Sequence, residues 1–426
     1  MRSLPLAYAV GLAALGVLTA NLVVLHIPIG WPSTAVAAAL AIRFGRRRLA
    51  PGGRGGRPRI IALSLLAISA AFLVREAILL AVKPMLETDG WWIWGTRARA
   101  LYDFGHPLAP VFTDPQYPAL QHPLLLPAME ALDAHAMGGW DGTRVHLQLI
   151  GFVIAFVGGV WTLLRREAPS LMVAAVLLAL VTAPSVLSQL ETNDADIPVA
   201  AFIALGVVSL ALWLRSGDRS RLALAAVFLA AGALTKNEGE MFALAALVAA
   251  ALVAGRPGLR PVALVAAAVA VADAPWRIWI AVNHVKIAEY SFSDIFDVHF
   301  MSSHWYRVGP SARELLSQIF GGHAWSYLVW VSLLAPAGAL LAGRFRMVAF
   351  SVLFAVLGFG GLVLTYWISS NPLSSHLTNS SNRTIDALVL TAAALAPLML
   401  ARPRERVGVA QGEDTRHDPP GVPADG

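Results

Sequence analysis

Ile197-Pro198-Val199-Ala200-Ala201-Phe202-Ile203-Ala204-Leu205-Gly206-Val207-Val208-Ser209-Leu210-Ala211-Leu212-Trp213-Leu214 contains no charged side chain. Wound as a helix rising about 1.5 Å per residue, such a run crosses most of the roughly 30 Å hydrocarbon layer of a bilayer. Runs of the same kind recur near 4–25, 60–82, 145–164, 171–188, 261–282, 325–342, 346–368 and 384–400. Shorter ones lie at 30–43, 221–236 and 240–254. Together they predict an all-α polytopic membrane protein with about 12 transmembrane helices. Composition agrees: of 426 residues, 57% are hydrophobic and 14% charged, against roughly 25% charged in a soluble domain. The mean hydropathy is +0.64. Disorder, coiled coil and a collagen-like repeat are thereby excluded as the main architecture. The sequence has no cysteine, which removes disulfides, thiolate metal sites and cysteine nucleophiles.

A net charge of +6 would point a soluble chain toward nucleic acid. The positions of the charges argue otherwise. With the amino terminus placed inside, the loops 43–59, 165–170, 215–221, 255–260 and 343–346, the tail from 401 and Arg2 hold 21 of the 32 basic residues. That is the cytoplasmic Lys/Arg excess of a plasma-membrane protein. The opposite side holds 16 of the 26 acidic residues. The expected organisation is two amino-terminal transmembrane segments (1–43), an Arg-rich cytoplasmic loop (44–59), a membrane domain (60–400) and a disordered cytoplasmic tail (401–426). Arg2 followed by an apolar run also fits a signal peptide, but no A-x-A cleavage site stands out, so an uncleaved span is expected.

Within 60–400 two outer segments are long, 83–144 and 283–324. Both are rich in aromatics, leucine and proline, which argues for folded juxtamembrane structure. Trp91 to Tyr102, carrying Arg97 and Arg99 among apolar residues, reads as an amphipathic helix lying along the interface. His122 to Leu132 reads as a second, opened by Pro123.

Four clusters on this side could carry chemistry. Glu87-Thr88-Asp89-Gly90-Trp91-Trp92 sets carboxylates beneath tryptophans. A partly desolvated carboxylate there could take a proton from a sugar hydroxyl, and indole faces stack on sugar rings. The same residues also suit a helix start and an interfacial aromatic belt. Glu191-Thr192-Asn193-Asp194-Ala195-Asp196 holds three acids, more than one helix cap needs, and such carboxylates could orient hydroxyls or hold a divalent cation. Thr235-Lys236-Asn237-Glu238-Gly239-Glu240 places a lysine between two short apolar segments, suited to snorkelling or to a lipid-linked phosphate. Ser381-Asn382-Arg383 opens the last span; Arg383 suits a helical pair with Asp386 or a phosphate. Arg75, Glu76, Asp273 and Arg277 fall inside apolar runs, where paired charges are the expectation. The histidine spacings match no metal motif, and HExxH, P-loop and GxSxG patterns are absent.

At these residues the chain resembles the GT-C superfamily of polytopic glycosyltransferases, in particular bacterial relatives of the dolichyl-phosphate-mannose-type and lipid A-modifying enzymes. Asp89-Gly90-Trp91-Trp92 through Tyr102 is similar to the family's first outer loop, and Tyr117-Pro118 and His122-Pro123 to the Pro-rich stretch after it. Asp196-Ile197-Pro198 is similar to the second outer loop, Thr235-Lys236-Asn237-Glu238-Gly239 to a Thr-Lys-x-x-Gly turn, and Ser381 to Arg383 to the last outer loop. The resemblance implies sugar transfer, with inversion, from a polyprenyl-phosphate donor to an extracytoplasmic glycan, lipid or protein acceptor. Asp89 would be the base, and Lys236 and Arg383 would hold the donor phosphate. Glu87, Trp91, Trp92, Arg97, His122, Asp194, Asp196 and Glu238 would bind substrate. One departure stands out: the family often has two adjacent acids where this chain has Asp89-Gly90. The rival classes are a transporter or flippase of lipid-linked sugars and an envelope scaffold. A transporter usually shows related halves and midplane sites; here the polar residues gather on one surface.

Overall fold

The computed structural model describes residues 4–30, 32–36, 39, 59–85, 87–108, 110–285, 292–321 and 324–401. Half of the 30–43 segment, the 44–59 loop except Arg59, Lys286 and the tail after 401 lie outside the described residues.

Among the described residues there are helices and turns and no strand. Eight helices are long and apolar enough to cross a membrane, and a bent pair makes up to nine. In chain order the helices are α1 (Leu4–Val24), α2 (Ile60–Leu80), α3 (Thr96–Phe104), α4 (Leu125–Met137), α5 (Gln148–Leu164), α6 (Ser170–Val181), α7 (Pro184–Leu190), α8 (Asp196–Ser216) and α9 (Arg219–Thr235). There follow α10 (Asn237–Ala254), α11 (Arg256–Val282), α12 (Val298–Ser303), α13 (Val308–Phe320), α14 (Leu328–Leu341), α15 (Phe345–Ile368), α16 (Leu373–Thr384) and α17 (Asp386–Leu400). The expected span at 171–188 is broken: α6 and α7 meet at 53°, where Pro184 cannot donate to the helical ladder. The predicted spans at 221–236 and 325–342 are the short helices α9 and α14.

The opening stretch, α8, is the hub, packed on by α5, α9, α10 and α17. Between lipid-soluble helices close packing, more than water exclusion, drives association, so small residues matter. On α8, Gly206 lets the Leu229 side chain of α9 approach, and Gly159 of α5 does the same for Leu205.

Helix ends are satisfied by distant side chains, because a bare carbonyl in hydrocarbon costs several kcal/mol. His146 lies 3.0 Å from the Leu80 carbonyl at the end of α2. Arg307, from the second outer segment, donates to the carbonyls of Tyr366, Ser369 and Asn371 after α15. Arg75 and Glu76 pair although adjacent, and Arg277 pairs with Asp273 at 3.0 Å. The helix expected from His122 instead begins at Leu125 and runs to Met137; His122 and Pro123 remain in the turn before it. Predicted helix 91–102 divides into a π-helical turn, Gly90–Gly95, and α3.

Candidate functional site

Three loops that are far apart in sequence meet at one end of the bundle. The first contact is backbone on backbone: a Cβ on Gly90 would lie 1.9 Å from the Thr192 carbonyl oxygen. Only glycine permits that approach. Beside it Asn193 holds a left-handed φ of 60°, a conformation asparagine tolerates better than most residues. Asp194 and Asp196 are thereby turned toward Asp89.

The Arg383 guanidinium, on α16, ties them together. It pairs with Asp89 and with Asp194, and its Nε lies 3.9 Å from Asp196. Asp196 in turn accepts from Lys236 at 2.8 Å, and Lys236 also meets Glu238 at 3.1 Å. Lys236 is delivered by a tight corner between α9 and α10, where a Cβ on Gly239 would lie 1.9 Å from the Gly232 carbonyl oxygen. The result is one chain of charges: Asp89, Arg383, Asp194 and Asp196, Lys236, Glu238. Exposure separates its members. The Asp89 side chain is 34% exposed, whereas those of Asp194 and Asp196 are 2% and 6%.

Burial, reinforced by the Asp196 and Asp89 carboxylates and opposed by Arg383, pushes the Asp194 carboxyl up to about 7. His122 is buried and stacks on Trp94 at 5.4 Å. Burial, together with the positive charges of Lys236, Arg97, Arg277 and Arg383, holds its imidazole well below the usual histidine range. It is therefore neutral at pH 7, with Nδ1 lacking a hydrogen-bond partner among the described residues.

Some expected members stand elsewhere. Arg97 is buried and donates to the carbonyls of Pro118 and Ala119, so it braces the loop that carries His122. Glu87 is exposed and forms no ion pair among the described residues. The tryptophans form no common roof: Trp91 lines a separate cavity of about 480 Å³ with Arg99 and Trp140, Trp92 stacks on Tyr117 at 6.0 Å, and Trp94 is buried. Arg383 does not pair with Asp386. Asp196 starts α8 without capping it through its side chain. No three His, Asp or Glu residues are placed to hold a metal among the described residues, so a divalent cation finds no support.

Three features went unread in the sequence. Asp386 is 1% exposed, with both carboxyl oxygens lacking hydrogen-bond partners among the described residues. Glu130, on α4, is fully buried, and burial, opposed by a hydrogen bond from Asn193, pushes its carboxyl up to about 8. Its signal was a lone acid inside the apolar run Leu124 to Leu132. Arg277, whose pairing with Asp273 was expected, also meets Glu240 and Asn237 in a second polar cluster that the sequence did not show, reached through Asn237 next to Lys236.

No family model matches the chain, and no curated protein matches it. Among solved structures it is similar to that of ArnT from Cupriavidus metallidurans bound to undecaprenyl phosphate, with a TM-score of 0.54 and 19% identity. The match covers 79% of this chain and 59% of that one. The chain therefore shares its polytopic helical fold with that structure, in keeping with the all-α membrane architecture expected from the sequence. It spans less than two thirds of the ArnT length.

Proposed function

We propose that this chain is an inverting glycosyltransferase that moves a sugar from a polyprenyl-phosphate donor to an extracytoplasmic acceptor, with Asp89 as general base. The observation that carries the reading is the convergence of Asp89, Asp194, Asp196, Lys236 and Arg383 on one end of the bundle, with Asp89 alone substantially open. The ArnT structure adds a solved relative in fold, bound to undecaprenyl phosphate. The Lys/Arg excess at the other end supports an extracytoplasmic position for the cluster by the positive-inside rule.

In the proposed step the acceptor oxygen forms a bond to the anomeric carbon as the bond from that carbon to the phosphate oxygen breaks. The acceptor proton passes to Asp89, and the electron pair leaves with the polyprenyl phosphate. Arg383 offers five N–H donors on a planar fork, so it can hold carboxylates and still meet an incoming phosphate oxygen. Lys236 is shared between Asp196 and Glu238 and acts at shorter range, keeping Asp196 ionised beside the leaving group. Cations placed where charge develops are worth most in such a low-dielectric setting.

Asp89→Asn keeps size and hydrogen bonding but removes the base. Transfer by purified protein should fall by about a hundred- to ten-thousand-fold, the usual contribution of general base catalysis, with protein level and melting temperature near wild type. Undiminished transfer by this variant would remove Asp89 from that role.

A further inference from the structure

The end of the bundle opposite the carboxylate cluster holds a cavity of about 370 Å³. Arg215 at the end of α8, and Arg344 and Arg346 at the start of α15, stand around it. Leu214, Phe345 and Leu398 supply apolar walls. No Asp or Glu lines it, and none of the three arginines forms an ion pair with a carboxylate among the described residues. Arg344 donates to the Met399 carbonyl and Arg215 to the Glu167 carbonyl at 3.5 Å, neutral acceptors that leave both charges uncompensated. Burial and the nearby Arg215 charge both lower the proton affinity of Arg344. The first turn of α15 adds its partial positive charge at the same place. Phe345 is 67% exposed and Leu341 at the end of α14 is 93% exposed; both are apolar and stand at the ends of the apolar helices α14 and α15 that flank the arginines.

Among the described residues this cavity sets three like charges in a concave, acid-free setting, which calls for an anion that is itself part of the membrane. We propose that this cavity binds the phosphate headgroup of an anionic diacyl phospholipid in the leaflet opposite the carboxylate cluster. The guanidiniums would hold the phosphate as forked donors, while the acyl chains run along Phe345 and Leu341. The inference does not depend on the glycosyltransferase reading, since no residue is shared.

Delipidated full-length protein, titrated with phosphatidylglycerol or phosphatidylcholine and read by native mass spectrometry, tests it. Wild type should retain one phosphatidylglycerol at least tenfold more tightly than phosphatidylcholine. Each arginine near an anionic headgroup contributes about fivefold in affinity, so Arg215→Gln with Arg346→Gln should lose about 25-fold for phosphatidylglycerol and leave phosphatidylcholine unchanged. Arg215→Lys with Arg346→Lys should keep most of the preference. Equal binding of the two lipids by wild type, or full phosphatidylglycerol binding by the double Gln variant, would overturn the proposal. So would displacement by millimolar inorganic phosphate, which would mark a free-anion site. A chain ending at Ala401 that lost the preference would assign the lipid to the tail and overturn it too.

Discussion

At the scale of single residues, the cluster is decided by which charges lack water. Lys236 is 8% exposed between Asp196 and Glu238. Removing one partner of a buried ion pair costs about 3–5 kcal/mol, because the remaining charge is stranded. Lys236→Ala should therefore lower the melting temperature of the purified protein. Combining Lys236→Met with Asp196→Asn, which removes both charges, should recover most of that loss while donor use stays impaired. Recovery of donor use in the double variant would mean that Lys236 serves only to balance Asp196. Glu130 supplies a pH test. The folded protein keeps a proton on Glu130 up to about pH 8, whereas its ordinary value is 4.5. The folded state thus binds more protons in that window, and the linked stability is full below 4.5 and lost as pH rises through 8. The slope from this group is at most about 1.4 kcal/mol per pH unit. Asp194 acts in the same direction up to about 7. Melting temperature against pH should fall more gently for Glu130→Gln than for wild type; parallel curves would show that Glu130 is ionised in the fold.

At the scale of elements, Asp89-Gly90 shows what the sequence could and could not convey. Its order along the chain marked Asp89, Asp196, Lys236 and Arg383 as outward-facing, because apolar run lengths and Lys/Arg distribution are local properties. Nothing local said that Gly90 would lie against Thr192, since that contact joins two segments far apart in sequence, tied beside it by the Lys83–Glu191 pair. The missing second acid of the first loop acquires a physical reason: a side chain at position 90 would collide with backbone. Asp194 brings a second carboxylate to Arg383 instead. The Arg383–Asp386 pairing failed for a related cause. Helical spacing allowed it, but Asp89 and Asp194, brought by other loops, compete for the same guanidinium. The expected roof of tryptophans over the carboxylates failed because Trp91 and Trp92 pack edge to face and outward while Trp94, in the same π-helical turn, is buried. Gly90→Ala should push the 191–195 loop away, costing about 1–3 kcal/mol as overpacking does and reducing activity with Asp89 intact. A thermal melt and a transfer assay on that variant check this; wild-type values in both would refute the close approach.

At the scale of the whole molecule, the helical membrane architecture was legible from run lengths and the sparse charge, and the ArnT likeness agrees with it. Counting spans was harder. The broken α6–α7 pair and the short α14 have the composition of spans, and only three-dimensional packing shows their bend and length; α9, predicted as a span, is shorter and less apolar. The molecule separates two polar surfaces about one α8 length apart, a carboxylate-rich end and an arginine-rich end. The central claim is that the first of these breaks a glycosidic bond. The direct measurement supplies purified protein, without any gradient, with a polyprenyl-phosphate sugar labelled in the sugar, plus an acceptor-bearing envelope extract. The account predicts release of free polyprenyl phosphate matched by label in the acceptor with inverted anomeric configuration, both lost in Asp89→Asn. Movement of the intact lipid-linked sugar across vesicles with its glycosidic bond unbroken, equal in wild type and Asp89→Asn, would contradict it.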